Sequence, residues 1–228
     1  MEANPVSFER SSGSQLAKGS QGFLEKMTTS VNEKNPRSVP ISRGDNRREL
    51  ILEAFHDCII RKGYSGTTLR DVARQAGMTA SHLLYYFSGK DAILAHYFDV
   101  VSQRIIERIN SFRKASPEQQ VSYLADLFFA GKGITNSETC FMLECFGVAV
   151  HDRQLHAEKS ALDLFCKDYL EGLFRQAGCK QQEAGDHAEV AYALLIGLRT
   201  AAYFDGSLDL PQARRLFHAT VLKMANFK

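Results

Sequence analysis

A short run of polar and aromatic side chains, from Thr79 to Tyr86, combines groups that could contact a nucleic acid. Ser81 and His82 can donate or accept hydrogen bonds, Tyr85 and Tyr86 provide two phenols, and the run contains no acidic residue. Such groups can reach base edges and phosphates, and a surface without carboxylates does not repel the phosphate backbone. This pattern favours contact with DNA from one side of a helix.

Two short helices joined by a glycine turn would position these groups. The first helix is predicted to begin at Thr67 or Thr68, and Asp71 lies three residues after Thr68, as a capping box requires. Gly77 stands where a helix C-terminus favours a left-handed residue, and Thr79 can cap the second helix. The spacing predicts a helix-turn-helix whose second helix enters the major groove.

Many residues around this segment stand at fixed spacings: Ile51-Leu52-Glu53-Ala54-Phe55, Gly63-Tyr64, Thr67-Thr68, Val72-Ala73, Ala76-Gly77-Met78-Thr79, Leu83, Tyr86-Phe87 and Lys90. From about residue 47 to residue 98 the chain resembles the DNA-binding domain of the TetR family of bacterial transcriptional regulators. One departure is Leu84, which stands where the family usually has its first tyrosine. Either a phosphate-contacting hydroxyl is missing there, or Tyr85 substitutes for it.

The resemblance implies two groups of DNA-contacting residues, one for phosphates and one for bases. The residues that look like backbone contacts are Thr67 or Thr68, Tyr86 and Lys90, beside the helix cap Thr79. The candidates for reaching base edges are Arg70, Ala80, Ser81, His82 and Tyr85. The competing interpretation is that Tyr85 or Tyr86 packs against the first helix, as Phe87 is expected to do.

The rest of the chain keeps a helical period, without a convincing alternating strand. We predict a first helix over about 46–62, a fourth from Lys90 to about Phe112, and five more near 117–131, 138–151, 154–178, 183–204 and 211–226. The predicted fold class is all-α. A three-helix DNA-binding domain over residues 45–90 precedes a larger helical bundle over 91–228, which the resemblance assigns to ligand binding and dimerisation.

Residues 1–44 have the composition of a flexible tail, with eight serines, four glycines and three of the five prolines. Met27 is a candidate for the authentic start of translation. A functional alternative to plain disorder is a DNA-tracking arm that ends in Arg37, Arg43, Arg47 and Arg48, because basic segments beside a helix-turn-helix can enter the minor groove.

Composition narrows the class of protein. Hydrophobic residues make up 44% and charged residues 24%, as in ordinary soluble domains. No apolar run approaches the roughly 20 residues of a membrane span, and no signal peptide is recognisable. We therefore expect a cytoplasmic, nucleoid-associated protein that does not enter a membrane. Residues 43–90 carry eight basic and five acidic side chains, which suits attraction to phosphate.

We expect neither a metal site nor a bound cofactor, and we do not expect the protein to be an enzyme. The five cysteines lack paired Cys-x-x-Cys spacing, which argues against a disulfide framework and against zinc. Cys140 or Cys145 with His151 or His156 is the only nucleophile–base pair, and its spacing has no family signature. The sequence contains no phosphate-cradling Gly-x-x-x-x-Gly-Lys and no His-Glu-x-x-His.

The bundle is rich in aromatic side chains, which most simply form a packed core. The resemblance implies a cavity there for a small, mostly apolar effector, for which aromatic or anionic character is an open option. The candidate ligand contacts are Cys145, Phe146, His151, Phe165, Tyr169, Arg199 and Tyr203.

A homodimer is expected because one recognition helix covers only a half-site. The resemblance places the dimer contact in the last two helices, which also carry His187 and His218. The residues that would supply its apolar faces are Leu194, Leu195, Leu198, Ala201, Ala202, Leu216, Ala219, Thr220 and Met224. Packing within the chain is their competing use.

The predicted function is a homodimeric repressor that binds a palindromic double-stranded DNA operator and is released by the effector. One alternative is a DNA-associated protein-interaction regulator without a small-molecule effector. A closed cavity above a few hundred Å³ favours the effector hypothesis, and a large exposed apolar patch without a cavity favours the alternative. A second alternative is a redox sensor that uses Cys140 and Cys145, which needs a lowered thiol pKa.

Overall fold

A computed structural model describes residues 43–131, 133–204 and 206–226. These residues form nine α-helices: α1 (Arg43–Gly66), α2 (Leu69–Gln75), α3 (Ala80–Tyr86), α4 (Lys90–Ser111), α5 (Pro117–Phe129), α6 (Asn136–Ala149), α7 (Arg153–Gln176), α8 (Gln181–Phe204) and α9 (Leu210–Met224). The described ranges contain no strand, and the predicted all-α class is confirmed. None of these helices combines the length and the apolar character that crossing a bilayer requires.

The first three helices and the start of α4 enclose a shared apolar core. Phe55 from α1, Val72 from α2, Leu83 from α3 and Ile93 from α4 are all completely buried. Helix α1 is interrupted at Gly63, whose φ of 71° is favourable only for glycine. Gly63, where the first helix was predicted to end, therefore interrupts the helix, and one more turn follows it.

Helix α4 connects this small unit to the bundle. It packs against α1 and also against α6 and α7. Its buried residues continue from Ile93 and Tyr97 in the first half to Ile105 and Ile109 in the second. The fourth helix thus spans both parts of the chain, as expected.

The bundle is built from α5 to α9, with α8 packed against α7 and α9, and α9 packed against α5. Its core contains Phe129, Phe141, Phe174 and Phe217, each at most 1% exposed. The predicted ends of these five helices lie within two residues of the observed ends, because caps and glycines act locally. Gly131 and Gly178, at two of the predicted breaks, have positive φ values of 68° and 97°.

Candidate nucleic-acid interface

Helix α2 begins with the predicted capping box. The Thr68 hydroxyl accepts from the Asp71 amide at 3.2 Å, and the Asp71 carboxylate accepts from the Thr68 amide at 3.1 Å. Thr67, in contrast, is buried, and its hydroxyl donates to the Gly63 carbonyl at 2.8 Å. Of the two threonines, Thr68 is the cap and faces solvent, whereas Thr67 fixes the turn from inside.

The turn between α2 and α3 depends on Gly77, whose φ is 65°. The Met78 amide donates to the Ala73 carbonyl at 2.9 Å, which closes the end of α2. Thr79 caps α3, since its hydroxyl accepts from the His82 amide at 3.1 Å. Local chemistry therefore fixes the angle between the two helices.

The outer side of α3 forms what we call the reading face: Ser81, His82, Tyr85 and Tyr86. Tyr85 is 83% exposed, Ser81 and His82 are exposed, and Tyr86 is half-buried. The His82 and Tyr86 rings lie 5.4 Å apart, and the two tyrosine rings lie 5.2 Å apart. Tyr85 thus projects into solvent, whereas Tyr86 also packs against the core.

Ala80 and Arg70 flank the reading face differently. Ala80, at the start of α3, is half-buried against the core, so it presents only part of its methyl group. Arg70 on α2 is exposed and free to extend towards a groove. Their contacts with base edges stay predictions.

The carboxylate of α2, Asp71, is locally neutralised. It forms ion pairs with Lys62 and Arg74, both at 2.9 Å. A hydrogen bond from the Thr68 hydroxyl, reinforced by Lys62, holds the pKa of Asp71 well below its usual value. The carboxylate is thus ionised but paired, and it leaves the reading face without an uncompensated negative charge.

Lys90 is engaged within the chain. Its Nζ donates to the carbonyls of Tyr64 at 2.9 Å and Thr67 at 3.1 Å, and it lies 4.0 Å from the centroid of the Tyr64 ring. An ammonium has three donors, so one remains for a phosphate. Lys90 therefore joins the start of α4 to the turn before α2, and its phosphate contact stays a prediction.

The predicted arm is corrected in part by the structure. Helix α1 already begins at Arg43, so Arg47 and Arg48 lie exposed on its first turns rather than on an extended arm. Sequence analysis missed this start because the preceding composition is typical of a loop. Arg37 lies outside the described residues. Leu84, at the family's tyrosine position, is 48% exposed and adjoins Tyr85.

Inside the bundle, two of the seven predicted ligand contacts line one cavity of about 70 Å³. These two are Phe146 and Arg199. The other five point elsewhere. Cys145 is completely buried in the core, and the Tyr169 hydroxyl donates to Gln120 at 2.5 Å.

The remaining three candidates lie towards the surface. Phe165 is half-buried beneath the Arg113 guanidinium, whose carbon lies 5.5 Å from the ring centroid. His151 and Tyr203 are exposed. An apolar helical position identified the bundle interior but not which neighbouring helix each side chain meets.

Several cavity residues were missed by sequence analysis. They include Thr139, Met142 and Leu143 on α6, Leu162, Asp163 and Cys166 on α7, and Tyr192 on α8. The α6 group had a detectable signal, because positions 139, 142, 143 and 146 repeat at helical spacing and mark one face.

A second, open cleft of about 360 Å³ lies between α4 and the α6–α7 region. Its polar lining contains the carboxylates Asp91, Asp99, Asp152 and Glu158 together with His96. This acidic cleft would repel phosphates, so it is not part of a DNA surface.

Comparison with known proteins agrees with this geometry. Residues 51–97 match the family described as "Bacterial regulatory proteins, tetR family". The chain is 27% identical over 169 residues to the HTH-type transcriptional regulator PksA of Bacillus subtilis strain 168, which covers 71% of this chain and 80% of PksA.

Solved structures share the fold. A protein from Pseudomonas aeruginosa PAO1, described as a transcriptional regulator, superposes with a TM-score of 0.71 at 20% identity, covering 82% of this chain and 95% of that one. Another, from Saccharomonospora viridis and in complex with choline, gives a TM-score of 0.67 at 18% identity over 77% of this chain and 95% of that one. The helix-turn-helix geometry and the matched domain together show that residues 51–97 form a DNA-binding domain of the TetR type, and the chain as a whole is similar to DNA-binding transcriptional regulators.

Proposed function

We propose that this regulator is a homodimeric repressor that binds a palindromic operator and leaves it when a small effector binds. The observation that carries the DNA part is the reading face on α3, which presents exposed hydrogen-bonding and aromatic groups without an uncompensated carboxylate. In this proposal Tyr85 and His82 contact base edges, and Thr68 and Tyr86 contact phosphates.

Exposed apolar residues on α8 and α9 support a dimer. Val190 and Phe204 on α8 are 55% and 72% exposed, and Leu216 on α9 is 45% exposed. Gly197 is exposed and lies midway between the α8 pair, where the absence of a side chain lets a second helix approach closely. These features suit a two-fold contact that places two reading faces on one operator.

The predicted set of dimer residues needs one correction. Leu195 is 3% exposed and belongs to the chain's own core, where it lines the 70 Å³ cavity. The remaining members stay candidates: Leu194, Leu198, Ala201, Ala202 and Met224 are half-buried, and Leu216, Ala219 and Thr220 are exposed. His187 packs on Phe174, and His218 hydrogen-bonds Ser122 at 2.9 Å, so both serve the fold of the single chain.

Release by an effector requires that the effector bind one spacing of the two DNA-binding units better than the other. Helix α4 reaches from the DNA-binding unit to Ile105 at the cavity, so a change of cavity shape can be transmitted along it. The neighbour that is bound to choline supports small-molecule binding within this fold.

The experiment that tests the proposal is selection of bound fragments from random DNA by the purified full chain. We expect one enriched, pseudo-palindromic motif. On that DNA, His82→Ala and Tyr85→Ala should relax the base preference, by about 1–3 kcal/mol at the affected position. Tyr86→Ala should weaken binding to every sequence. Tyr123→Ala, at an exposed tyrosine on α5, is the matched control. Absence of any DNA binding at low salt would contradict the proposal.

The structure bears differently on the two alternative functions, the redox sensor and the protein-interaction regulator. A redox sensor needs a stabilised thiolate, but burial raises the pKa of the Cys145 thiol far above its usual value. A protein-interaction regulator without an effector is favoured by the cavity size, because 70 Å³ falls short of the few hundred Å³ of usual ligand sites. Ligand titration distinguishes it from an effector-controlled repressor.

A further inference from the structure

The side chain of Arg199, on α8, is buried without a full set of partners. The residue is 6% exposed, and its Nη2 donates to the carbonyls of Ile134 and Thr135, both at 3.0 Å. Its Nε and Nη1 are also buried, and none of the described residues accepts a hydrogen bond from them. A guanidinium has five N–H donors, so much of this group's capacity is unused.

The positive charge of Arg199 is also only partly compensated. None of the ion pairs among the described residues includes it. The nearby carboxylate Glu138 instead pairs with Arg104 and accepts from the Thr135 amide at 2.8 Å. Burial lowers the pKa of Arg199 to about 10, which still leaves the guanidinium charged at neutral pH. Glu138 acts in the opposite direction to burial, so the charge is partly compensated, and an anion at the free N–H groups would reduce the remaining cost.

Arg199 lines the cavity of about 70 Å³, whose walls are mainly apolar and include Ile105, Phe128 and Leu195. Among the described residues that line the cavity one carries a carboxylate, Asp163, which is engaged with Lys159 through one oxygen and with the Tyr192 hydroxyl through the other. The cavity therefore combines mainly hydrocarbon walls with a buried guanidinium whose Nε and Nη1 have no acceptor among the described residues.

We propose that this cavity binds a small monocarboxylate. The ligand's carboxylate accepts hydrogen bonds from the Arg199 N–H groups that lack a partner, and its short hydrocarbon part lies against the apolar walls. The volume admits about half a dozen non-hydrogen atoms, which sets the size of the ligand. That this ligand is the effector rests on the proposed function, but its binding to the cavity does not.

The carbonyls that Arg199 holds link the site to the start of α6. Thr135 is the N-cap of α6, and Ile134 lies in the loop from α5, where its amide donates to the Leu127 carbonyl at 3.1 Å. A carboxylate drawn to the guanidinium competes for, or reorients, the bonds to this loop. Ligand binding would thus first change the backbone hydrogen bonds at the N-terminus of α6.

The test is isothermal titration calorimetry of the full chain, without DNA, against straight-chain carboxylates of three to eight carbons. We expect binding with an optimum near pentanoate, and binding of pentanamide and pentylamine weaker by at least about tenfold, because each lacks the charge-assisted acceptor. No binding by any carboxylate overturns the inference. A preference for pentylamine also overturns it and would point to Asp163 instead.

Two variants test whether pentanoate binds in the Arg199 cavity. Arg199→Gln should weaken pentanoate binding by at least about tenfold, whereas Arg175→Gln, at an exposed arginine of α7, should leave it unchanged. Because Arg199→Gln also removes bonds to the α6 loop, Ile196→Phe provides a second route: it fills the cavity, leaves Arg199 in place and should abolish binding. Undiminished binding in either soluble variant contradicts the inference.

Selection of DNA by the unliganded protein keeps the two proposals separate. Operator binding without carboxylate binding refutes only the ligand class. Carboxylate binding by a chain that ignores DNA refutes only the repressor.

Discussion

The backbone amide of Tyr64 donates a 2.9 Å hydrogen bond to Glu144 Oε2, which joins the turn before α2 to the middle of α6 across 80 positions of sequence. Gly63 is needed beside this contact for its φ of 71° and not for space, since an added Cβ would lie at an ordinary contact distance of 3.4 Å from Glu144 Oε1. Leu143 and Phe146, which flank Glu144 on α6, line the Arg199 cavity. One helical turn therefore contacts both the DNA-binding unit and the cavity.

The first prediction concerns this hydrogen bond. Glu144→Ala leaves the Tyr64 amide without its acceptor, and we expect hydrogen exchange at Tyr64 to accelerate by about tenfold and stability to fall by about 1–2 kcal/mol. Exchange measured by NMR checks this. Glu144→Gln is the matched control, because its amide oxygen can still accept. Equal protection of Tyr64 in wild type and Glu144→Ala would show that the bond contributes nothing.

The second prediction concerns His56, which is buried between α1 and α4 with its Nδ1 2.7 Å from the Tyr97 hydroxyl. Burial lowers the pKa of His56 below its ordinary 6.5, although Glu138 and Asp57 act in the opposite direction. Below pH 6.5 the unfolded chain binds a proton here that the folded chain resists. The contribution of the neutral, buried His56 to the free energy of unfolding is therefore complete above pH 6.5, and it is lost as the pH falls below that value.

Urea unfolding of wild type and His56→Gln between pH 7.5 and pH 5 tests this sign. The stability advantage of the wild type should shrink as the pH falls. Glu53 acts the other way, because burial beside Asp57 and Glu49 raises its pKa to about 7, but it is present in both proteins and cancels in the difference. His151→Gln, at an exposed histidine, is the control. A constant difference across this range would contradict the prediction.

The third prediction concerns Gly133, in the loop between α5 and α6. A Cβ there would lie 2.3 Å from the Leu127 carbonyl oxygen, so Gly133→Ala must displace the loop whose carbonyls hold Arg199. We expect a loss of about 1–3 kcal/mol in thermal unfolding. Gly147→Ala, on an open helical position of α6, should instead stabilise by about 0.5–1 kcal/mol. Equal effects of the two changes would rule out the steric explanation.

The fourth prediction concerns the proposed dimer. Gly197 on α8 meets nothing of its own chain within 4 Å of an added Cβ, so Gly197→Arg is tolerated by the fold but blocks a second helix. Sedimentation should show a monomer. Gly147→Arg, equally open but on α6, should keep the oligomeric state of the wild type. A dimer that survives Gly197→Arg would place the contact elsewhere.

Local chemistry made the helix-turn-helix predictable. Thr68 and Thr79 cap their helices, and Gly77 adopts positive φ, through interactions within a few residues of sequence. The role of Lys90 was not predictable in this way, because its two acceptors are carbonyls 23 and 26 positions away. The sequence identified Lys90 as a positive charge near the helix-turn-helix, but not the two carbonyls that accept its hydrogen bonds.

The cavity shows the same limit. Phe146 and Arg199 were identified from their helical positions, but Cys145 and Tyr169, chosen by the same argument, face other neighbours. A helical period gives the apolar side of a helix, whereas the packing of α6, α7 and α8 decides which of those side chains surround the same space. Asp163 was missed because a charged residue on a long polar helix gives no periodic signal.

The Glu144 contact has a consequence for engineering chimaeras. In a chimaera, a DNA-binding unit from another regulator would pack against the Glu144 carboxylate of α6. In this chain that carboxylate accepts a hydrogen bond from the backbone amide that follows Gly63. Unless the graft carried both the glycine and the amide, it would leave the half-buried Glu144 carboxylate without this hydrogen bond at the boundary between the two units. Exchanges that transfer α6 together with the first three helices should therefore yield working hybrids more often than exchanges cut at the start of α4.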